Sequence, residues 1–171
     1  MLKLSKAMIN KPIISLRTGQ IIGTTTEAII NPHNLKLEGF YVNANNSKEP
    51  KILLEQDIRE IGIKGLAVND TDALSDTEDL VRLKDIIELD FKLIGKKVVT
   101  TSDSKVGKVI DYAADTESLF IQKLYVSKPV IRNIAGGSLV IDRSQVNEIT
   151  PKKIVINDLL ETSAVKASAT A

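Results

Sequence analysis

The sequence contains no cysteine and no tryptophan, and only 4% of its 171 residues are aromatic. The lack of cysteine excludes disulfides and thiolate chemistry, which is compatible with a reducing compartment. The chain has no apolar run of about 18 residues, so no segment is expected to span a bilayer. Its N-terminal stretch also lacks the apolar core of a secretory signal peptide, so we expect a cytoplasmic protein. Scarce aromatic side chains leave few platforms for stacking nucleic-acid bases.

An excess of one charge sign is also missing, since the net charge is +1 and 26% of the residues are charged. A balance of this kind creates no global field that would select nucleic acid or a membrane. The hydrophobic fraction of 43% is close to that of ordinary globular domains. The length suits one medium domain or two small ones.

The chain carries the same pattern of apolar and turn residues twice. The matched segments are 9–15 with 94–100, 22–42 with 106–126, 58–61 with 146–149, and 66–70 with 154–158. Identical residues are few, but agreement between separate blocks in the same order is improbable by chance. We interpret the pattern as an internal duplication.

Each copy consists of short β-branched runs separated by turn residues, which is typical of strands. The predicted strands are 12–16, 22–30, 35–43, 51–54, 59–62 and 65–69 in the first copy, and 97–101, 106–114, 119–126, 138–141, 147–150 and 153–157 in the second. Four-residue hairpin loops are predicted at 31–34 and 115–118. Single helical or 3₁₀ turns are predicted at 55–57 and 142–145. Closure of each copy into a small barrel would remove exposed strand edges and enclose an aliphatic core.

The segment 75–90 differs from both copies in composition. Its acidic residues outnumber its basic residues six to two, a net charge of −4. Residues 75–78 (Ser-Asp-Thr-Glu) have the spacing of a capping box, and apolar residues follow at helical spacing as far as Ile87. We therefore predict an amphipathic helix at 76–88.

These patterns predict four parts of the chain. They are a first β unit at 1–74, a linker helix at 75–90, a second β unit at 91–162 and a disordered tail at 163–171.

Three segments of the second copy resemble the PRC-barrel pattern. They are 93–98 (Leu-Ile-Gly-Lys-Lys-Val), 106–111 (Val-Gly-Lys-Val-Ile-Asp) and 139–146 (Leu-Val-Ile-Asp-Arg-Ser-Gln-Val). The first copy departs from the pattern at Asn10, which replaces a glycine, and at Pro12 in the first strand. The resemblance implies a mainly β protein of two tandem PRC-type β-barrels, joined by an acidic loop and one amphipathic helix.

The PRC family also includes the C-terminal domain of the ribosome maturation factor RimM and the cytoplasmic part of the photosynthetic reaction-centre H subunit. The resemblance therefore implies a barrel that docks to proteins, sometimes near RNA.

Few residues suggest catalysis or metal binding. His33 lies in an Asn-Pro-His-Asn segment, which is typical of an exposed turn rather than of a general base. Glu27, Asp111 and Asp115 are candidate cation ligands, but about 13 Å of strand separates the two aspartates, so we predict capping and turn roles for them. Gly136-Gly137 lacks the Lys-Ser/Thr ending of a phosphate loop. We expect no enzymatic activity, no metal and no cofactor.

The second copy is the basic one, with 11 basic and 8 acidic residues over 91–162. The basic residues that suggest a phosphate-binding surface are Lys105, Lys108, Lys123, Lys128, Arg132, Lys152 and Lys153. An insertion at 128–134 also places apolar residues between cations, as docking loops do. The same insertion could equally cap its own barrel or pack on the other copy. The candidate partner-binding residues are Lys123, Lys128, Val130, Ile131, Arg132 and Ile134.

Three functions follow from these observations. The first is a protein-docking adaptor, for which Ile131→Glu is expected to abolish partner capture. The alternative is an RNA-associated or ribosome-assembly factor that binds ribosomal protein or rRNA, for which co-sedimentation with ribosomal subunits at low salt is expected. The third is self-association through edge strands into a homodimer.

Overall fold

The computed structural model describes residues 1–128 and 137–158. The candidate docking residues Val130, Ile131, Arg132 and Ile134, and the predicted tail at 163–171, lie outside the described residues. The chain is mainly β, with curled sheets that include a half-barrel. It divides into two compact units, the first made of 1–91 and 113–121, and the second made of 92–112 with the described part of 122–171.

Strands form where β-branched and aliphatic residues alternate with polar ones. The strands up to the linker are β1 (Leu2–Leu4), β2 (Pro12–Ser15), β3 (Ile21–Asn31), β4 (Lys36–Ala44), β5 (Lys51–Leu54), β6 (Ile58–Ile61), β7 (Leu66–Val68) and β8 (Leu74–Asp76). Those after the linker are β9 (Lys97–Thr100), β10 (Lys105–Asp115), β11 (Ile121–Ser127), β12 (Ser138–Asp142), β13 (Val146–Ile149) and β14 (Lys153–Ile156). The twelve predicted strands are confirmed to within two residues at each end, whereas β1 and β8 were not predicted.

The two seven-stranded sheets share one order of equivalent strands. The first runs β6-β7-β2-β3-β4-β5-β8, and the second runs β13-β14-β9-β10-β11-β12, with β1 pairing to β10. The parallel pair β2–β7 aligns Ile13 with Leu66, and its counterpart β9–β14 aligns Val98 with Ile154. The sequence repeat matches Ile13 with Val98 and Leu66 with Ile154. The similarity between the two copies therefore extends to the pairing of their strands.

Hydrogen bonds outside the strands repeat as well. Asn10 N donates to Thr25 O at 2.9 Å, and the equivalent Gly95 N donates to Val109 O at 2.7 Å. Both donors have a positive φ, 56° at Asn10 and 87° at Gly95. Asparagine tolerates this left-handed conformation better than most residues. Asn10 of the first copy therefore has the same backbone role as Gly95 of the second.

The predicted short turns are confirmed as 3₁₀ turns at Glu55–Asp57 and Arg143–Gln145. The second is a capping box, in which Ser144 N donates to Asp142 Oδ1 at 3.0 Å and Asp142 N donates to Gln145 Oε1 at 2.8 Å. Each turn redirects the chain from one strand to the next.

The predicted helix at 76–88 is wrong in extent. The only α-helix among the described residues is α1 (Lys84–Leu89), preceded by 3₁₀ turns at Thr77–Asp79 and Val81–Leu83. Ser75 and Asp76 of the predicted capping box belong instead to β8, which pairs antiparallel with β5 and aligns Ser75 with Ile52, whereas Glu78 lies in the first 3₁₀ turn. Sheet pairing gives these backbone groups partners that an isolated short helix cannot match, because helix nucleation is costly.

The first unit includes the far end of the β10–β11 hairpin. Leu37 N donates to Leu119 O at 2.9 Å, and Ile121 N donates to Leu35 O at 2.8 Å. The repeat matches Leu35 with Leu119 and Leu37 with Ile121. Replacing each residue by its equivalent in the other copy therefore turns one of these hydrogen bonds into the other. Leu35 and Leu119 are each 3% exposed, with φ of 53° and 55°. Equivalent hairpin ends thus pair with each other in a buried position.

Candidate functional site

The strand edge at β12 is open in the part of the chain that the structure describes. β12 is the terminal strand of its sheet, whereas the equivalent strand β5 is covered on the same side by β8. An uncovered edge presents free backbone donors and acceptors to a further strand.

The backbone groups that face outwards from β12 can be assigned from its register. Lys128 N donates to Gly137 O at 3.2 Å, and Ser127 is aligned with Ser138 in the β11–β12 pair. Antiparallel partners alternate between bonded and non-bonded positions. Ser138 and Val140 therefore direct their N–H and C=O groups away from β11, towards the open edge.

The side chain at the centre of this edge is exposed. Val140 is 48% exposed, whereas the equivalent Ile52, which lies between β4 and β8, is 0% exposed. Ile141, which follows Val140 in β12, is 0% exposed and faces the core. The edge therefore combines unpaired backbone with one accessible apolar side chain.

An ion pair marks the end of β12. Lys123 Nζ lies 2.6 Å from Asp142 Oδ2. This hydrogen bond, with those from the amide and hydroxyl of Ser144, lowers the pKa of Asp142 from its ordinary value of 3.8 to about 2. Lys123, one of the candidate partner-binding residues, is thus engaged within its own unit.

Lys128, the other described candidate, lines a groove of about 400 Å³ in the second unit. The lining residues are Lys97, Val98, Val99, Lys105, Gly107, Lys108, Ser127 and Lys128. The four lysines are exposed, and Val98 and Val99 are buried. No acidic side chain of residues 1–128 and 137–158 lines the groove, so we call it the lysine groove.

The lysine groove brings like charges together across strands. Lys97 on β9 lies directly opposite Lys108 on β10, and Lys153 on β14 aligns with Lys97 on its other side. Lys153 is paired with Asp103 at 3.1 Å. Within the described ranges, Lys97, Lys105, Lys108 and Lys128 form no ion pair. Like charges directly opposite each other in a sheet are destabilising.

The first copy lacks this charge. The equivalents of Lys97, Lys105, Lys108 and Lys128 are Pro12, Ile21, Thr24 and Ala44. The strand register confirms the correspondence, because Pro12 is aligned with Thr24 as Lys97 is with Lys108. The lysines therefore belong to one copy of a shared strand arrangement, and that arrangement does not require them.

A second groove, of about 550 Å³, lies in the first unit between the 3₁₀ turn at Glu55–Asp57 and the linker. Its carboxylates are partly engaged, since Asn31 Nδ2 donates to Glu38 Oε1 at 2.8 Å and Glu55 pairs with Lys36. Val81 on its rim is 80% exposed.

Of the remaining candidate residues, His33 and Asp115 lie where the turn chemistry predicts, whereas Glu27 lies within β3 and Asp111 within β10, away from the turns. His33 is exposed, and its backbone N–H donates to Asn31 Oδ1 at 3.0 Å. Asp115 accepts from Ser118 N at 2.9 Å and from the N-terminal amine of Met1 at 2.8 Å, and these hydrogen bonds hold its pKa well below the ordinary range. Asp111 accepts from Tyr112 N at 2.8 Å. Across residues 1–128 and 137–158, no three potential metal-ligating side chains come together.

Sequence reasoning missed Lys97 and the open edge. Lys97 could have been found by aligning its predicted strand with 106–114, which places it opposite Lys108. The open edge of β12 could not have been found in this way. It is recognised by contrast with β5, and the local pattern of residues 74–76 does not show that β8 covers β5.

Within residues 1–128 and 137–158, the helices are too short to traverse a bilayer.

Comparisons with other proteins assign no family to this chain. Neither the comparison with protein-family models nor that with curated proteins finds a match to this chain.

Proposed function

We propose that this chain is a non-enzymatic tandem PRC-barrel protein that docks to a protein partner by accepting an extended segment at the β12 edge. The observation that carries the proposal is the contrast between Val140, 48% exposed, and its equivalent Ile52, 0% exposed beside β8. The PRC-type assignment is supported by the shared strand order and by the segments that resemble the family.

Strand addition suits this edge for two reasons. Main-chain hydrogen bonds to Ser138 and Val140 supply affinity, and a side chain packing on Val140 supplies specificity. The first copy shows which kind of segment the scaffold accepts, since β8 is a short extended Leu-Ser-Asp segment aligned with Leu53, Ile52 and Lys51. We therefore expect a partner segment with an apolar residue flanked by polar ones.

Two substitutions at one position test the proposal. Val140→Pro removes the outward N–H, which bonds to no strand within the described residues, whereas Val140→Thr retains it. Both variants and the wild type serve as baits in affinity purification from the native host, with mass spectrometry of the bound proteins. A partner retained by the wild type and by Val140→Thr but lost by Val140→Pro is expected.

Circular dichroism of each bait checks that the fold is intact. Recovery of the same proteins by Val140→Pro and the wild type would show that docking does not use this edge.

A further inference from the structure

The lysine groove is lined by β9, β10 and the end of β11 with Lys128, and the strand addition proposed at β12 does not use its lysines. We infer that it binds the phosphodiester backbone of a single-stranded nucleic acid, without reading its bases. The inference rests on the convergence of Lys97, Lys105, Lys108 and Lys128 around one concavity of about 400 Å³.

The charge is concentrated and, among the residues that the structure describes, uncompensated. Their part of the lining contains four lysines and no carboxylate. The strand register forces Lys97 and Lys108 into direct opposition, an arrangement that costs stability and that the first copy avoids with Pro12 and Thr24. A closely spaced polyanion between the two ammonium groups would relieve this repulsion.

A nucleic-acid backbone matches this density of positive charge. Each strand of duplex DNA carries one negative charge per about 3.4 Å of axis, and lysines bind phosphates as point charges. A groove of about 400 Å³ cannot enclose a duplex, so a single strand is the form that fits it. An acidic peptide meets the same spacing only if nearly every residue is acidic.

The described lining of the groove contains no group on which bases could stack. None of these residues is aromatic, so they provide no stacking platform. The lining also includes the buried residues Val98 and Val99. Contacts made only to phosphates position a nucleic acid but do not specify its bases.

The test measures binding of fluorescein-labelled oligouridylate of about 12 nucleotides to the full chain by fluorescence anisotropy, between about 20 and 200 mM KCl. With four phosphates neutralised, the slope of log K against log salt is expected to be about −3. Lys97→Gln/Lys108→Gln is expected to weaken binding about tenfold or more at low salt and to bring the slope to about −1.5.

The matched control is Lys6→Gln/Lys64→Gln, which removes the same charge from exposed lysines of the first unit. It is expected to change affinity by less than about twofold. Equal weakening by both double variants, or no salt-dependent binding at the lowest salt, would overturn the inference.

Two competitors identify the ligand chemistry. Unlabelled oligouridylate is expected to displace the probe at lower concentration than oligoglutamate of equal charge or inorganic tripolyphosphate. Displacement by oligoglutamate at the same concentration would assign the groove to acidic peptides, and stronger displacement by tripolyphosphate would assign it to free polyphosphates. Either result would replace nucleic acid as the ligand.

Discussion

At the scale of single residues, Gly107 shows how closely the second unit is packed. Its φ is 155°, and a Cβ added there would lie 1.6 Å from the carbonyl oxygen of Ser127. Both the conformation and the approach of β11 require a residue without a side chain.

We expect Gly107→Ala to destabilise the protein by about 2–4 kcal/mol, because the methyl group meets backbone that cannot move independently. The control is Gly62→Ala, whose added Cβ would lie 3.4 Å from the flexible Glu60 carboxylate, its nearest neighbour. Urea denaturation compares the two free energies of unfolding. Similar values for both variants would contradict the assigned close approach.

Asp142 makes the stability of β12 sensitive to acid. Its pKa is lowered from 3.8 to about 2 by the Lys123 ammonium and the Ser144 donors. A carboxyl with a lowered folded-state pKa contributes stability above its unfolded value, and that contribution is lost as the pH falls through the folded value.

Wild type is therefore expected to exceed Asp142→Asn in stability at pH 7 by up to about 1 kcal/mol, since the pair is partly exposed and screened. The difference should shrink between about pH 4 and pH 2. Denaturation curves at several pH values measure it. A difference that stays constant down to pH 2 would show that the ionised carboxylate is not responsible.

At the scale of strands, the opposition of Lys97 and Lys108 should be measurable without any ligand. Lys108→Thr installs the residue found at the equivalent Thr24 and removes one of two like charges. We expect a gain of about 0.2–1 kcal/mol at low ionic strength, decreasing as salt screens the repulsion.

The matched variant is Lys105→Thr on the same strand, because Lys105 lies opposite Val99 rather than a lysine. Thermal melts at low and high salt compare the two. If Lys105→Thr gives the same salt-dependent gain, the general charge of the unit and not this pair is the cause.

At the scale of the whole chain, the first unit is not continuous in sequence. It needs residues 113–121 as well as 1–91. β1 aligns Leu2 with Asp115 and Leu4 with Ala113, and the two hairpin ends share the bonds between Leu37, Leu119, Ile121 and Leu35.

A chain truncated after Phe91 is therefore expected to lose cooperative thermal unfolding, because Leu35 and Leu37 would be uncovered and β1 would have no partner strand. A chain truncated after Asp158 serves as the control and should unfold cooperatively. Circular dichroism melts distinguish them. A 1–91 fragment that melts like the full chain would refute the dependence on 113–121.

Local chemistry alone predicted the duplication, twelve strands and both short 3₁₀ turns. Alternating β-branched residues and Asn or Asp at turns act over a few neighbouring positions, so their effect can be read directly from the chain. The exposed position of His33 and the capping role of Asp115 follow from the same short-range chemistry.

Long-range pairing alone placed β8 on β5, joined the hairpin ends at Leu35 and Leu119, and gathered Lys97 with Lys128. It also left the β12 edge without a partner strand among the described residues. At residues 74–76 the capping-box pattern and the sheet compete for the same backbone, and the sheet prevails because it adds hydrogen bonds and burial together. Such outcomes depend on segments distant in sequence, whose contacts no local pattern contains.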